Sequence, residues 1–171
     1  WMTAHLRLHG LQFMTLAEAM PGAEVETFRA SSWTPGAAPM EGRQRMALEG
    51  EWSPERRDVP AGSLFVPIAQ PSARLVVALM EPLAPDSHAA WGRFNAHFER
   101  KEYMEAYVAE AVAREMLAAD PGLEATFRKK LSDDPEFADS PRARLDFFYR
   151  RHPAWDERLG LYPVYRAHWT P

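Results

Sequence analysis

The sequence contains no cysteine. That absence excludes disulfide frameworks, thiolate zinc sites and cysteine nucleophiles. An excess of basic residues is also lacking, since 20 Lys and Arg face 24 Asp and Glu, for a net charge of −4. Proteins that bind phosphate backbones present clustered Lys and Arg. Here the two signs are interspersed along the chain, and we therefore expect no nucleic-acid binding.

Long apolar runs are missing as well. The longest lie near residues 64–69 and 75–80, and prolines bound both. Each is far shorter than the ~18 apolar residues that a membrane span requires, so we expect no membrane span. The chain begins at Trp1, without a charged segment followed by an apolar one. We expect a soluble piece of a longer polypeptide.

What is present is ordinary globular composition, with 46% hydrophobic and 26% charged residues in a chain of 171. Most of the 15 prolines and 9 glycines fall in the first ninety residues, which favours short strands joined by turns. Alternating patterns predict strands over 3–9, 23–30, 43–52 and 64–69, with a loop over 31–39.

The later part of the chain has helical periodicity. Apolar spacing and capping residues predict helices over 72–80, 91–98, 99–119, 123–131 and 142–151. A final strand is predicted over 161–166. The sequence therefore predicts an α+β fold with a β-rich N-terminal half and a helical C-terminal half. We expect one domain over 1–171, mainly strands in 1–70 and mainly helices in 71–160.

Histidines are the first candidates for chemistry. His5 and His9 would share a face of a strand or lie one turn apart on a helix. Zinc needs a third protein ligand, and no Asp or Glu lies nearby in sequence, so a surface or core pair is the preferred interpretation. Asp86, Ser87 and His88 are the residue types of a catalytic triad. Consecutive residues point in different directions, however, which favours helix capping over catalysis.

Carboxylates and aromatic residues give the remaining candidates. Glu102 and Glu105 are three residues apart and could cooperate in acid–base catalysis or bind a cation, but a solvated, salt-bridged helix face is preferred. A concave site lined by Trp91, Asn95, Glu102 and Tyr103 would bind a peptide or a cell-wall fragment. The sequence has no glycine-rich phosphate loop and no G-x-S-x-G, H-E-x-x-H or H-x-x-E motif. We therefore find no complete catalytic site in it.

Five segments together resemble the C-terminal region of bacterial zinc carboxypeptidases of the carboxypeptidase A type. They are PAGSLFVPIAQP at 60–71, ARLVVALMEP at 73–82, PDS at 85–87, WGRFN at 91–95 and YPVYR at 162–166. The helix predicted after residue 99 is also similar to that of the longer members. The resemblance covers about residues 40–166 and, more weakly, the segment around Leu6–Gly10.

The resemblance implies that the catalytic residues and this chain occupy different parts of a longer polypeptide. Members of the family bind one zinc through His, Glu and His, use a Glu as general base and receive the substrate carboxylate on an Arg. Those residues would lie upstream of Trp1, so no catalytic or metal residue is assigned here, and zinc would belong to the parent protein.

The resemblance thus implies a non-catalytic accessory domain whose partner is the upstream peptidase domain, in a periplasmic or secreted protein. Two alternatives stay open at this point. One is a module that binds peptide or cell-wall fragments, and the other is an independent enzyme of unknown class.

Overall fold

The computed structural model of the chain describes residues 1–101 and 103–169. Helices and strands follow one another as α1 (Met2–Leu8), β1 (Met14–Thr15), β2 (Met20–Pro35), β3 (Met46–Val59), β4 (Leu64–Phe65), α2 (Ala73–Met80), α3 (Ala106–Ala119), α4 (Pro121–Asp133), α5 (Pro135–Asp139) and α6 (Pro141–Tyr149), with a 3-10 turn at Asn95–His97. This order confirms the predicted α+β class, with strands early and helices late. Among the described residues, no helix is long and apolar enough to cross a membrane.

The chain divides into two compact units. Unit 1 comprises Trp1–Glu99 together with Arg158–Pro171, and unit 2 comprises Arg100–Glu157. Each unit has its own buried apolar cluster or clusters. The prediction of one domain over 1–171 stays a prediction.

A long antiparallel ribbon of β2 and β3 dominates unit 1. Phe28 lies opposite Trp52 and Ala30 opposite Gly50, with a register shift between Ala30 and Ser32. Gly50 has to be glycine, because a Cβ there would stand 2.2 Å from the backbone oxygen of Arg29. The ribbon can therefore close tightly around the buried ring of Phe28.

Unit 1 contains two apolar clusters. The first joins α1 to α2 and consists of Leu6, Leu11, Val76, Leu79 and Met80. The second lies against the ribbon and consists of Phe28, Met46, Ala89, Phe98 and Tyr162. The C-terminal segment of the chain thus returns to pack on the first strands. No local pattern in the sequence predicts this contact.

Unit 2 consists of helices with explicit start signals. The side chains of Asp120, Asp134 and Ser140 accept backbone N–H groups at the starts of α4, α5 and α6. Proline occupies the first turn of each of these three helices, where no N–H is needed. The apolar sides of these helices and of α3 meet in a cluster that buries Ala113, Phe137, Phe147 and Phe148.

The strand predicted over 3–9 is wrong, since Met2–Leu8 is the helix α1. Leu6 is buried, whereas Leu8 is 83% exposed, so the two leucines do not share a buried face. Leucines two residues apart fit a strand, but Met2 and Leu6, four residues apart, both pack in the α1–α2 apolar cluster, as helical spacing allows.

The helix predicted over 91–98 is also wrong, because this stretch forms turns ending in the 3-10 turn. Gly92 has a φ of +67°, which interrupts helical geometry. Helix α3 accordingly begins at Ala106 and not at Glu99. The helices predicted over 72–80, 123–131 and 142–151 lie within a few residues of α2, α4 and α6, whereas α5 was not predicted.

The other four predicted strands also need correction of their bounds. Strand β3 runs from Met46 to Val59, seven residues beyond the end of the strand predicted over 43–52. Strand β2 runs on to Pro35, through the first half of the predicted loop, and β4 ends at Phe65, two residues before Pro67. The segment 161–166 is bridged to β2 only at its two ends, through Leu161 and Arg166. Pro163, which lacks a backbone donor, lies between them.

Candidate functional site

Helix α1 places two histidines one turn apart. The backbone N–H of His9 donates to the carbonyl of His5 at 3.2 Å, as helical spacing requires. The imidazole rings meet edge to face with their centroids 4.6 Å apart. Of the two arrangements considered from the sequence, the helical one is therefore correct.

His88 joins this pair from a distant part of the chain. Its side chain is buried, with 2% of the residue exposed. Its backbone N–H donates to the carbonyl of Leu79 at 2.9 Å. The ring centroid lies 4.8 Å from that of His5. We call His5, His9 and His88 the imidazole cluster.

Aromatic rings complete the surroundings of the imidazole cluster. The Trp1 ring contacts His88 edge on at 5.2 Å, and Phe94 lies 6.4 Å from it. The guanidinium of Arg93 stands over the Trp1 ring at 5.1 Å. A largely apolar wall and one cation therefore border the three imidazoles.

Electrostatics keep the two inner histidines neutral near neutral pH. Burial, helped by the nearby His5, Arg93 and His9, lowers the pKa of His88 from its ordinary value of 6.5 to about 4. Burial likewise lowers the pKa of His5, with smaller effects from Arg93 and His9. Among the described residues, the buried atoms Nδ1 of His5 and Nε2 of His88 have no hydrogen-bond partner. Buried polar atoms usually have one, so this cluster carries an energetic cost.

A metal site and a triad were both considered for these histidines. Among residues 1–101 and 103–169, no group of three His, Asp or Glu side chains is arranged to hold a metal ion. The Ser87 hydroxyl donates to the Pro82 carbonyl at 3.2 Å and accepts the N–H of Ala90 at 3.0 Å. Asp86 accepts the indole N–H of Trp91 at 3.4 Å. Ser87 therefore caps a turn, and Asp86 and Ser87 both have partners other than His88.

Two of the residues predicted to bind a ligand, Trp91 and Asn95, contact adjacent residues of unit 1. The guanidinium of Arg45 stands 4.8 Å over the half-buried ring of Trp91. Asn95 donates to the Gln44 carbonyl at 2.9 Å, while its own Oδ1 is buried and has no partner within residues 1–101 and 103–169. Tyr103 belongs to unit 2 and is 73% exposed. Glu102 lies outside the described residues, and a binding site formed by the four stays a prediction.

A second polar cluster of unit 1 was not singled out from the sequence. Arg166 donates to both carboxylate oxygens of Glu81, at 3.0 and 2.6 Å, and its guanidinium stands 4.0 Å over the Trp52 ring. Next to it, the Tyr162 hydroxyl donates to the Met80 carbonyl at 3.0 Å. Burial raises the pKa of Tyr162 and Glu81 adds to that effect, so the phenol stays protonated. We call Glu81, Tyr162 and Arg166 the Glu81–Arg166 cluster.

Unit 2 has a comparable arrangement around one carboxylate. Asp146 accepts hydrogen bonds from Arg100 and, at 2.8 Å, from Arg150. Although burial opposes it, these two arginines hold the pKa of Asp146 below its usual range. Both guanidinium groups lie 5.4 Å from the Trp155 ring. The carboxylate is therefore occupied by structural partners, Arg150 at the end of the same helix α6 and Arg100 from the segment before α3.

Comparisons of the chain with protein-family models, with curated proteins and with solved structures found no match.

Proposed function

We propose that this chain is a non-catalytic accessory domain of a bacterial zinc carboxypeptidase-like protein, and that it packs on the upstream peptidase domain and stabilises it. The observation that carries the proposal is the Glu81–Arg166 cluster. Glu81 comes from the segment ALMEP and Arg166 from YPVYR, two segments that also carry the resemblance to the family. Residues of the resemblance therefore meet each other in a structural contact.

Other residues of the resembling segments behave in the same way. Tyr162 binds the backbone at Met80, Asn95 binds the backbone at Gln44, and Ser87 caps its own turn. Tyr162 and Asn95 connect distant parts of unit 1 through their polar atoms, and Ser87 stabilises a local turn. Side chains that perform catalysis must instead be within hydrogen-bond reach of the reacting atoms of a substrate. This pattern supports a structural role for the segments.

For Arg166 a substrate-binding role has to be compared with a structural role, because the family uses an arginine to receive the substrate carboxylate. Here the guanidinium already binds a carboxylate in the bidentate manner, and one of its faces lies on Trp52. A substrate would have to displace Glu81. The geometry therefore favours Arg166 as a structural residue of this chain.

Unit 1 also exposes large apolar side chains that a neighbouring domain could cover. Val77 on α2 is 46% exposed, Leu83 just after α2 is 57% exposed, and Ile68 before it is 56% exposed. Scattered apolar side chains on a surface are common. Three of them on or flanking one short helix support packing of that helix on another domain.

The first test is the zinc content of the purified chain, with carboxypeptidase activity measured on the same sample after zinc is added. We expect neither stoichiometric zinc nor hydrolysis. Stoichiometric zinc with hydrolysis would overturn the proposal and would direct attention to His5 and His9.

The second test asks for packing directly. A separately expressed catalytic domain of the resembled family is mixed with the chain at neutral pH, and its thermal midpoint and its kcat/KM are recorded. We expect a higher thermal midpoint for the mixture. Val77→Asp should abolish the rise, because it places a charge on the proposed contact. Ala125→Asp adds the same charge to an exposed position of α4 and should leave the rise intact. No rise with the unmodified chain, or equal loss with both variants, contradicts the packing role.

A further inference from the structure

Helix α1 is attached to the rest of unit 1 by apolar and by polar contacts. In the apolar contact, Leu6 is 1% exposed and packs with Val76, Leu79 and Met80. The polar contact includes the imidazole cluster, in which the His5 and His88 rings are tilted with their centroids 4.8 Å apart. Part of the attachment therefore consists of groups that can acquire charge as the pH falls.

The surroundings of His88 supply positive charge. Helix α1 faces it with His5 and His9, and the turn that follows α2 faces it with Arg93, which in turn feels the charge of Arg43. Helix α2 contributes the Leu79 carbonyl, which accepts the backbone N–H of His88. Asp86, the nearest acid in sequence, accepts a hydrogen bond from the Trp91 indole. A proton added to His88 would thus enter a buried, like-charged environment.

We propose that the imidazole cluster is a pH-sensitive latch, which holds α1 on unit 1 at neutral pH and releases it in acid. Release separates His5 from His88 and Arg93, exposes the imidazoles to water and withdraws Leu6 from the α1–α2 apolar cluster. This inference goes beyond the accessory role proposed above and does not depend on it.

The sign of the effect follows from linkage. The pKa of His88 is about 4 when α1 is docked and returns toward its ordinary value of 6.5 when the ring is released. Released chains therefore bind more protons than docked chains between these two values, and docking weakens as the pH falls through that window. His5, whose pKa is also lowered by burial, acts in the same direction. Above the window the latch is fully closed.

Amide hydrogen exchange of the whole chain tests the proposal, with protection corrected for intrinsic exchange at each pH. Between about pH 7 and about pH 4.5 we expect the protection of α1 amides to fall on the order of 10- to 100-fold. The β2–β3 ribbon of the same unit should keep its protection. Equal loss in α1 and in the ribbon would indicate general acid unfolding and overturn the proposal.

Two variants distinguish the pH response that depends on His88 from any response of an exposed histidine. His88→Phe keeps an aromatic ring but cannot ionise, so its α1 protection should change by less than a factor of about 3 over the same interval. His168→Gln removes a histidine whose side chain is 83% exposed and should respond to pH as the unmodified chain does. An undiminished pH response in His88→Phe would overturn the proposal.

If His88→Phe fails to fold, a titration of the unmodified chain decides the matter. The NMR midpoint of the His88 imidazole should then lie below about pH 5. A midpoint near the ordinary value of 6.5 would overturn the latch, because a ring that titrates normally gains nothing from release.

Discussion

Unit 1 and unit 2 differ in the sequence range of the contacts within each of them. In unit 2 most of the described polar contacts are local, because the helix caps bind two or three residues away and the pairs Arg128–Glu124 and Lys130–Asp134 span a single turn. The pair Arg100–Asp146 differs from them and spans 46 residues. In unit 1 the bond from Tyr162 to Met80 spans 82 residues, and the pair Arg166–Glu81 spans 85. Contacts of long range repay the entropy of loop closure only when the whole unit is assembled. Single substitutions should therefore cost more in unit 1.

The largest effect is expected from Gly92→Ala in unit 1. A Cβ at Gly92 would stand 1.9 Å from the Gln44 backbone oxygen, and its φ of +67° strains any other residue. We expect the free energy of unfolding of unit 1 to fall by more than about 4 kcal/mol, or the unit not to fold. Urea unfolding of unit 1, monitored through the hydrogen exchange of β2 and β3, measures this loss in free energy.

Gly22→Ala is the matched control for that prediction. Its φ is +61°, but a Cβ there would meet nothing within 4 Å. Only the backbone strain remains, which costs about 1–2 kcal/mol. Equal losses for the two variants would show that the close approach to Gln44 contributes nothing.

An intermediate effect is expected from Tyr162→Phe, which removes one hydroxyl from the Glu81–Arg166 cluster. Tyr162 is 0% exposed, so the Met80 carbonyl would lose its side-chain donor in a place that water cannot easily reach. The expected loss in the free energy of unfolding is about 1–2 kcal/mol, seen as a lower urea midpoint. Tyr107→Phe removes a hydroxyl from a residue that is 74% exposed and should leave the midpoint unchanged. Equal midpoints for both variants would argue against the long-range bond.

The difference in range also explains which elements could be predicted from sequence. Helices α4 and α6 begin at Asp120-Pro121 and Ser140-Pro141, signals that lie within two residues of the helix start. Helix α1 was predicted as a strand, because its partner α2 lies some sixty residues further along the chain and cannot be inferred from the segment itself. The overall class could be predicted because it depends on composition and periodicity.

The candidate sites could be predicted only in part for the same reason. His5 and His9 are neighbours in sequence and were recognised as a pair. His88 was interpreted through its own neighbours Asp86 and Ser87, because nothing in the sequence indicates that its ring reaches His5. Glu81 and Arg166 both lie in segments that carry the family resemblance, so that signal was present. What was missing was the pairing, which the sequence of one chain does not encode locally.

The smallest effect is expected from Asp120→Ala in unit 2. The Asp120 carboxylate accepts the N–H groups of Gly122 at 2.8 Å and Leu123 at 3.1 Å, at the start of α4. Loss of such a cap typically costs about 1 kcal/mol, and the loss should appear as lower hydrogen-exchange protection in the first turn of α4. Asp133→Ala is the control, and its expected effect on the stability of α4 has the opposite sign. An exposed acid at the C-terminal end of the same helix interacts unfavourably with the helix dipole. Its removal should leave protection unchanged or raise it slightly. Asp120→Ala could instead lower the free energy of unfolding of unit 2 as much as Gly92→Ala lowers that of unit 1. The contrast between local and long-range contacts would then be wrong, because one cap that binds residues two and three positions away would be supporting the whole helical unit.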